Sequence, residues 1–435
     1  MIRKKTIYKL AVAIIAAVLL LCGCGGKTEP VGPGASEPAA SGVQLPPAAP
    51  KEEPQDGDVD RSDYNLIETN ADIAICLLRE RLEKEGEKNY MFSPVSLYEI
   101  LALAANGASG QTRAQLETYL GGSMESINEA LADYHRTLPK SLHVANSIWV
   151  NNSIGSLTDS YQQLAQNEYD AVVEDVPFTG ETVDRINAWG KKHTKGMIPS
   201  VLNELDPDQA MILLNAVAFE AKWEEQYENS QIHPHETFTN ADGTTSTYTQ
   251  LSSEEDEYLK IMDGENVIAK GFLKPYKNGK TAFMGIEPAE GYTLEDVMKH
   301  LNGKSYAEMY ANKEVYKEGT LHAGIPEFKA DDSMELVEHL KNEQVELPFV
   351  PYQADFSGMM NTDFPLYISG LFQKTHIEVD RKGTKAAAIT GIVMTAESVS
   401  ESVNLYIILD QPFLYAIVDY ETGMPFFMGM INTME

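Results

Sequence analysis

The residues of this 435-residue chain that could carry out a reaction do not form a reaction centre. His233-Pro234-His235 sets two imidazoles at an i, i+2 spacing, which seats a metal when both rings face one way. The competing reading, and the one favoured, is a solvated loop ahead of the ETFTNADGTT hairpin. Ser109 lies in NGASG, where the second glycine is one position too close for a nucleophile elbow. No phosphate-cradling GxxxxGKS or GxxxxGKT, no dinucleotide GxGxxG and no zinc-binding HExxH occurs. The 65 acidic residues guarantee chance carboxylate pairs, so no single pair argues for acid–base catalysis. Cys76 is the only cysteine beyond Cys22 and Cys24, which points to a buried structural thiol rather than an internal disulfide. An enzyme is not expected, and neither a cofactor nor a metal is implied.

One stretch stands out for having no reactive side chain at all. VDRKGTKAAAITG (379–391) is too rich in small residues to anchor a core, and its glycines discourage a helix. Along a strand, side chains alternate between faces. Thr384, Ala386, Ala388 and Thr390 then share one face, and all four are small. Lys385, Ala387 and Ile389 take the other. Such a segment can enter a gap between two existing strands without steric conflict.

The elements that would receive it are legible in outline. MIRKKTIYKL followed by AVAIIAAVLLL has the basic start and short apolar run of a secretory signal. Its exit, Leu21-Cys22-Gly23-Cys24, resembles a bacterial lipobox, with Cys24 the preferred site of lipidation because bulky Leu21 precedes Cys22. Residues 1–24 are thus expected to be signal and lipobox, placing the protein outside the cell and lipid-anchored to its surface. Residues 25–63 lack any aromatic side chain and carry Pro at 30, 33, 38, 46, 47, 50 and 54, the composition of an extended tether. A folded domain is expected over 64–435. The formal charge of −31 makes nucleic-acid binding an unfavourable reading, because no phosphate-neutralising surface is available.

Within that domain, helical spacing predicts a helix over Asn70–Lys84, a second entered at Ser93-Pro94, and a third, QTRAQLETYLGG, closed by Gly121 and Gly122. Strands are predicted at 143–150, 211–219, 280–288 and 320–328, and a final hairpin joins PFLYAIVDY to MPFFMGMI through Glu421-Thr422-Gly423. Helices early and strands late argue for an α+β fold with large, mainly antiparallel sheets.

NYMFSPVSL, LALAANGASGQTRAQL, VANSIWV, INAWGKKHTKGMI, LLNAVAFEAKW, ADFSGM, VDRKGTKAAAIT and QPFLYAIVDYETGMPFFMG together resemble the serpins, in family order from about Tyr64 to Ile431. The resemblance implies three β-sheets, eight or nine helices and an exposed reactive-centre loop, here at about 381–410. It also implies an inhibitor consumed by its own reaction. A serine protease, or a papain-like cysteine protease, cleaves the loop and is held as an acyl-enzyme while the hinge Gly383–Thr390 enters the central sheet. The partner would be that protease, and the inhibitor a monomer. A different class stays open: a surface-tethered binding protein on a serpin scaffold that no longer inhibits.

Several family positions can be placed. Ser93, Ser96 and Asn215 match a polar gate between strands, but its usual His is Gln373, so the gate should lack the pH sensitivity an imidazole supplies. Trp223 matches the aromatic under the insertion point. Where the family carries Glu before the hinge this chain has Arg381, and where it carries the partnering Lys there is Glu327, which predicts an Arg381–Glu327 pair of swapped sign. Lys385 also replaces a Glu, on the outward face. Hinge-to-cut spacing puts the reactive bond at Glu397–Ser398, with Ala396–Glu397 its close rival. The first suits a Glu-specific protease and the second an elastase-like one; no Lys or Arg lies nearby to fill a trypsin-like pocket.

Overall fold

The computed structural model describes residues 65–86, 88–384 and 403–434. Cys24, the tether, Lys385 to Thr390 of the hinge, and Ala396, Glu397 and Ser398 lie outside the described residues. Among the described residues the chain forms nine α-helices and three sheets, the mixed α+β arrangement of the serpin fold.

The central sheet runs in the order Val172–Val176, Leu142–Asn151, Met211–Phe219 and Ile368–Asp380. Beyond the end of Met211–Phe219, Gly383–Thr384 and Ala221–Lys222 extend the sheet as short pieces, while Phe328–Glu335 pairs with the other edge of Ile368–Asp380. A second sheet of seven strands includes the C-terminal hairpin Phe413–Asp419 and Pro425–Ile431. The third has four, in the order Leu405–Ile408, Leu321–Pro326, Thr245–Glu255, Ile232–Thr239.

Met211–Phe219 is buried along its whole length because both faces are covered. Met211, Leu213, Val217 and Phe219 join the main core, which includes helix Pro94–Gly107. Ile212, Leu214 and Ala216 pack instead with Ile186 and Trp189 of helix Gly180–His193. The period-two alternation of a strand produces this split. Asn215 is the polar exception on the core-facing side.

Several boundaries differ from those expected. The first helix starts earlier, at Leu66, because Asn65 caps it: its Oδ1 accepts the Ile67 amide at 3.1 Å. The run 320–328 is two strands, Leu321–Pro326 and Phe328–Glu335, serving different sheets with Glu327 at the switch. His233-Pro234-His235 is not a loop. It lies in edge strand Ile232–Thr239, with a register break between Pro234 and Glu236 and His235 at φ 72°. An edge strand tolerates proline because its outer N–H groups need no partner. Among the described residues no group of His, Cys, Asp or Glu is placed to hold a metal.

Candidate functional site

Two polar assemblies flank the line along which the central sheet could part. That line is the parallel pairing of Met211–Phe219 with Ile368–Asp380, which runs from Met211↔Ile368 to Ala218↔His376.

The first assembly is at the end of this line where the hinge emerges. Trp223 is fully buried and stacks on Tyr276, with ring centroids 4.5 Å apart and planes inclined by 10°. Three successive carbonyls of the turn after the long strand are held by the segment beginning at Trp223. Trp223 Nε1–H donates to the Asp380 carbonyl (2.8 Å), the Tyr227 amide to that of Arg381 (3.3 Å), and the Trp223 amide to that of Lys382 (3.1 Å). Arg381 donates its own amide to Glu327 Oε1 at 3.2 Å and brings Nε to 3.7 Å from the same oxygen. Both side chains are partly solvated, so this contact contributes at most about 1 kcal/mol.

The chain then turns back into the sheet. Gly383 and Thr384 pair with Asp380 and Val379 on one side and with Lys222 and Ala221 on the other. Gly383 has φ +143°, and a Cβ there would meet the Ala221 carbonyl oxygen at 2.2 Å, so only glycine fits. Thr384 is fully buried, and its Oγ1 lies 2.8 Å from the Tyr276 hydroxyl.

A buried ion pair underlies this corner. Lys274 Nζ meets Glu255 Oε1 at 2.7 Å, with both side chains almost wholly buried, and lies 4.7 Å from the Tyr227 ring centre and 5.7 Å from that of Trp223. Cation–π contact compensates some of the hydration that the ammonium loses. Burial raises the Glu255 carboxyl above its ordinary value despite the attraction of Lys274.

The second assembly lies midway down the same line. Gln373 is directly opposite Asn215, and Asn215 directly opposite Asn146, so three amides occupy one rung of three adjacent strands. Gln373 accepts the Ser93 amide at Oε1 (2.8 Å) and donates through Nε2 to the Ser93 carbonyl and to Asn215 Oδ1, both at 2.9 Å. Asn215 donates to Ser96 Oγ and to Asn146 Oδ1. All these groups are buried, and Ser93 Oγ has no hydrogen-bond partner among the described residues. Bonds across the parting line tie the strands together, but amide bonds can be exchanged for those of an incoming strand.

The structure therefore brings Arg381, Glu327, Trp223, Gly383 and Thr384 to one end of the line, and Ser93, Ser96, Asn215 and Gln373 to its middle. Reasoning from sequence missed Tyr276, Tyr227, Lys274 and Asn146. Tyr276 follows a strand-ending Pro275, and no spacing links it to Thr384, 108 residues away. Asn146 was within reach, as the one amide in a strand otherwise reading as apolar and small.

Comparison with known proteins agrees with this geometry. The family profile described as Serpin (serine protease inhibitor) matches residues 68–434. The chain is similar to Serpin-Z7 of Hordeum vulgare, 30% identical over 361 residues that cover 79% of this chain and 89% of that one. It also superposes on the thermophilic serpin tengpin. The native-state structure gives a TM-score of 0.77 at 34% identity, covering 85% of this chain and 94% of that one. The latent-state structure gives 0.71 at 33%, covering 85% and 98%. With a matching profile across nearly the whole domain and both polar assemblies in place, the chain belongs to the serpin family.

Proposed function

We propose that this serpin is an irreversible, suicide-substrate inhibitor of serine proteases of elastase-like or Glu-specific type. One observation carries the reading. Gly383 and Thr384 already occupy a rung between the long strand and Ala221–Lys222, with Thr384 buried in the core. Each residue further along an antiparallel strand moves one back along each neighbour. An unbroken continuation of this ladder puts Ala386 and Ala388 at successive inward positions and carries Thr390, six residues on, to the rung of Gln373 and Asn215. The inward side chains are small, as entry between close-packed strands requires.

In this mechanism the protease serine attacks at Glu397–Ser398, or at Ala396–Glu397, and forms an acyl-enzyme. Cleavage frees the hinge, which enters between Met211–Phe219 and Ile368–Asp380 before water reaches the ester. The intact fold is a kinetically trapped state. Each ladder bond gained contributes about 0.5–1.5 kcal/mol net, and roughly ten of them make insertion effectively irreversible. The basic, apolar N-terminus and Cys24 support secretion and anchoring of the inhibitor at a bacterial surface. Cys24→Ala should abolish incorporation of labelled fatty acid, and undiminished labelling would refute lipidation at Cys24.

The test is incubation with an elastase-like and a Glu-specific protease, followed by denaturing electrophoresis. A covalent complex, with the new N-terminus of the released fragment at Ser398 or Glu397, is the expected outcome. Clean cleavage with protease activity undiminished would refute inhibition and leave the serpin scaffold as a tethered binding protein.

A further inference from the structure

The gate amides belong to a longer chain of hydrogen bonds that ends on a titratable pair. Beyond Asn215, Asn146 donates through Nδ2 to Glu99 Oε2 at 2.8 Å. Glu99 Oε1 in turn lies 3.1 Å from His135 Nε2. Glu99, on helix Pro94–Gly107, is 2% exposed, whereas the His135 side chain, on helix Met124–Thr137, is 24% exposed and can exchange protons with solvent.

Every bond in this relay points the same way. Gln373 donates to Asn215, Asn215 to Asn146, and Asn146 to Glu99. An ionised carboxylate can only accept, so Asn146 must turn its amino group toward Glu99 and its oxygen toward Asn215. The same constraint passes to Asn215 and then to Gln373, whose oxygen is left for the Ser93 amide. One charge on Glu99 thus sets the orientation of all three amides at the parting line. Head-to-tail bonds of this kind also polarise one another.

We infer that His135 and Glu99 are a positioning pair for the gate, so that the closed central sheet is held most firmly while His135 carries a proton and loosens as that proton is lost. Ionised Glu99 needs a counter-charge at this depth, and the His135 imidazolium, in direct contact with it, supplies one. Once the imidazole is neutral, the buried carboxylate is left uncompensated, and the closed packing that buries it at the end of the relay is destabilised. Burial opposes the imidazolium, but the hydrogen bond and charge of Glu99 outweigh it and hold His135 above its ordinary value of 6.5. A raised value means that the proton-linked stability is present below pH 6.5 and is lost as pH rises through the folded value.

Among the described residues, the groups that act on His135 favour its charged form. From helix Asp159–Tyr169 come the Glu168 carbonyl, the edge of Tyr169 and, just past its end, the charge of Asp170. From its own helix comes Tyr134, whose buried hydroxyl faces Glu99 and Asp419 and is held well above its ordinary value by burial. The neighbouring Arg136 is engaged by Asp133. The Gln373 side chain does not titrate, but the relay through it is governed by a group that does.

Amide hydrogen exchange on the full chain tests this, read as protection factors for strands 211–219 and 368–380 with intrinsic exchange removed. In the native sequence, protection should fall about tenfold between about pH 5.5 and about pH 8.5, as the imidazolium is lost. His135→Gln should flatten the profile. Glu99→Gln should flatten it while keeping protection high, since a glutamine can present its oxygen to Asn146 and so preserve the relay. Glu99→Leu should be poorly protected at every pH. A flat native profile, or a His135→Gln profile as steep as the native one in a protein of native circular dichroism, would overturn the inference. The readout needs only a closed sheet, so absence of a protease complex would count against inhibition and not against this relay.

Discussion

Gly383 and Thr384 fix the direction in which the chain leaves the turn at 380–382. Gly383 is the one residue type that can pass the Ala221 carbonyl at that backbone angle. Thr384 is fully buried, with its Oγ1 against the Tyr276 hydroxyl. Thr384→Arg would have to bury a guanidinium beside Tyr276 and Trp223 with no carboxylate among its hydrogen-bonding neighbours, a cost of several kcal/mol. The variant should still be cut at the reactive bond but release active protease, so the covalent complex on denaturing gels should fall at least about tenfold, which takes only about 1.4 kcal/mol. A full yield of complex would mean that insertion does not begin at this rung.

At the scale of elements, the corner depends on three segments meeting: the turn 380–382, the stretch 223–227 and the strand end at Lys274. Lys274 and Glu255 lie beneath the aromatic rings that grip the turn. Removing one member of a buried pair leaves an uncompensated charge, which costs about 3–5 kcal/mol. Lys274→Met should therefore lower unfolding stability by about 3 kcal/mol near neutral pH and by less in acid, where Glu255 takes up a proton. The double variant Lys274→Met with Glu255→Leu should recover most of that loss, because neither charge remains to be desolvated. Denaturant unfolding of the single and double variants measures both. Equal destabilisation by the two would show that the pair is needed for its shape rather than its charge balance.

For the whole molecule, the decisive quantity is the free energy held back by the closed sheet. Nicking the loop at the reactive bond should yield a product that melts far above the intact protein, because the inserted strand adds a central ladder. Scanning calorimetry of nicked and intact protein settles it: equal melting temperatures would mean no stored energy and no trap. The strong negative charge favours solubility and keeps such a molecule away from polyanions.

How much of this was open to a reader of residues alone differs by element. Near-continuous apolar runs in Met211–Phe219 and in the closing hairpin are strong enough to define those strands, and the small face of 384–390 is an intrinsic property of the chain. Family order located Ser93, Asn215, Trp223 and Gln373, and the swapped charges at two family positions pointed to Arg381 and Glu327 as neighbours. Local patterns carry such information because propensity and periodicity act within a few residues. The relay from Gln373 to His135 is different. It joins residues 373, 215, 146, 99 and 135 through strand register, and register depends on which strands become neighbours. The single strand expected at 320–328 was misjudged for the same reason, since the residue pattern does not reveal that Leu321–Pro326 and Phe328–Glu335 join different sheets. Hydrogen bonds need their partners within about 3 Å. Only packing brings residues more than a hundred positions apart to that distance.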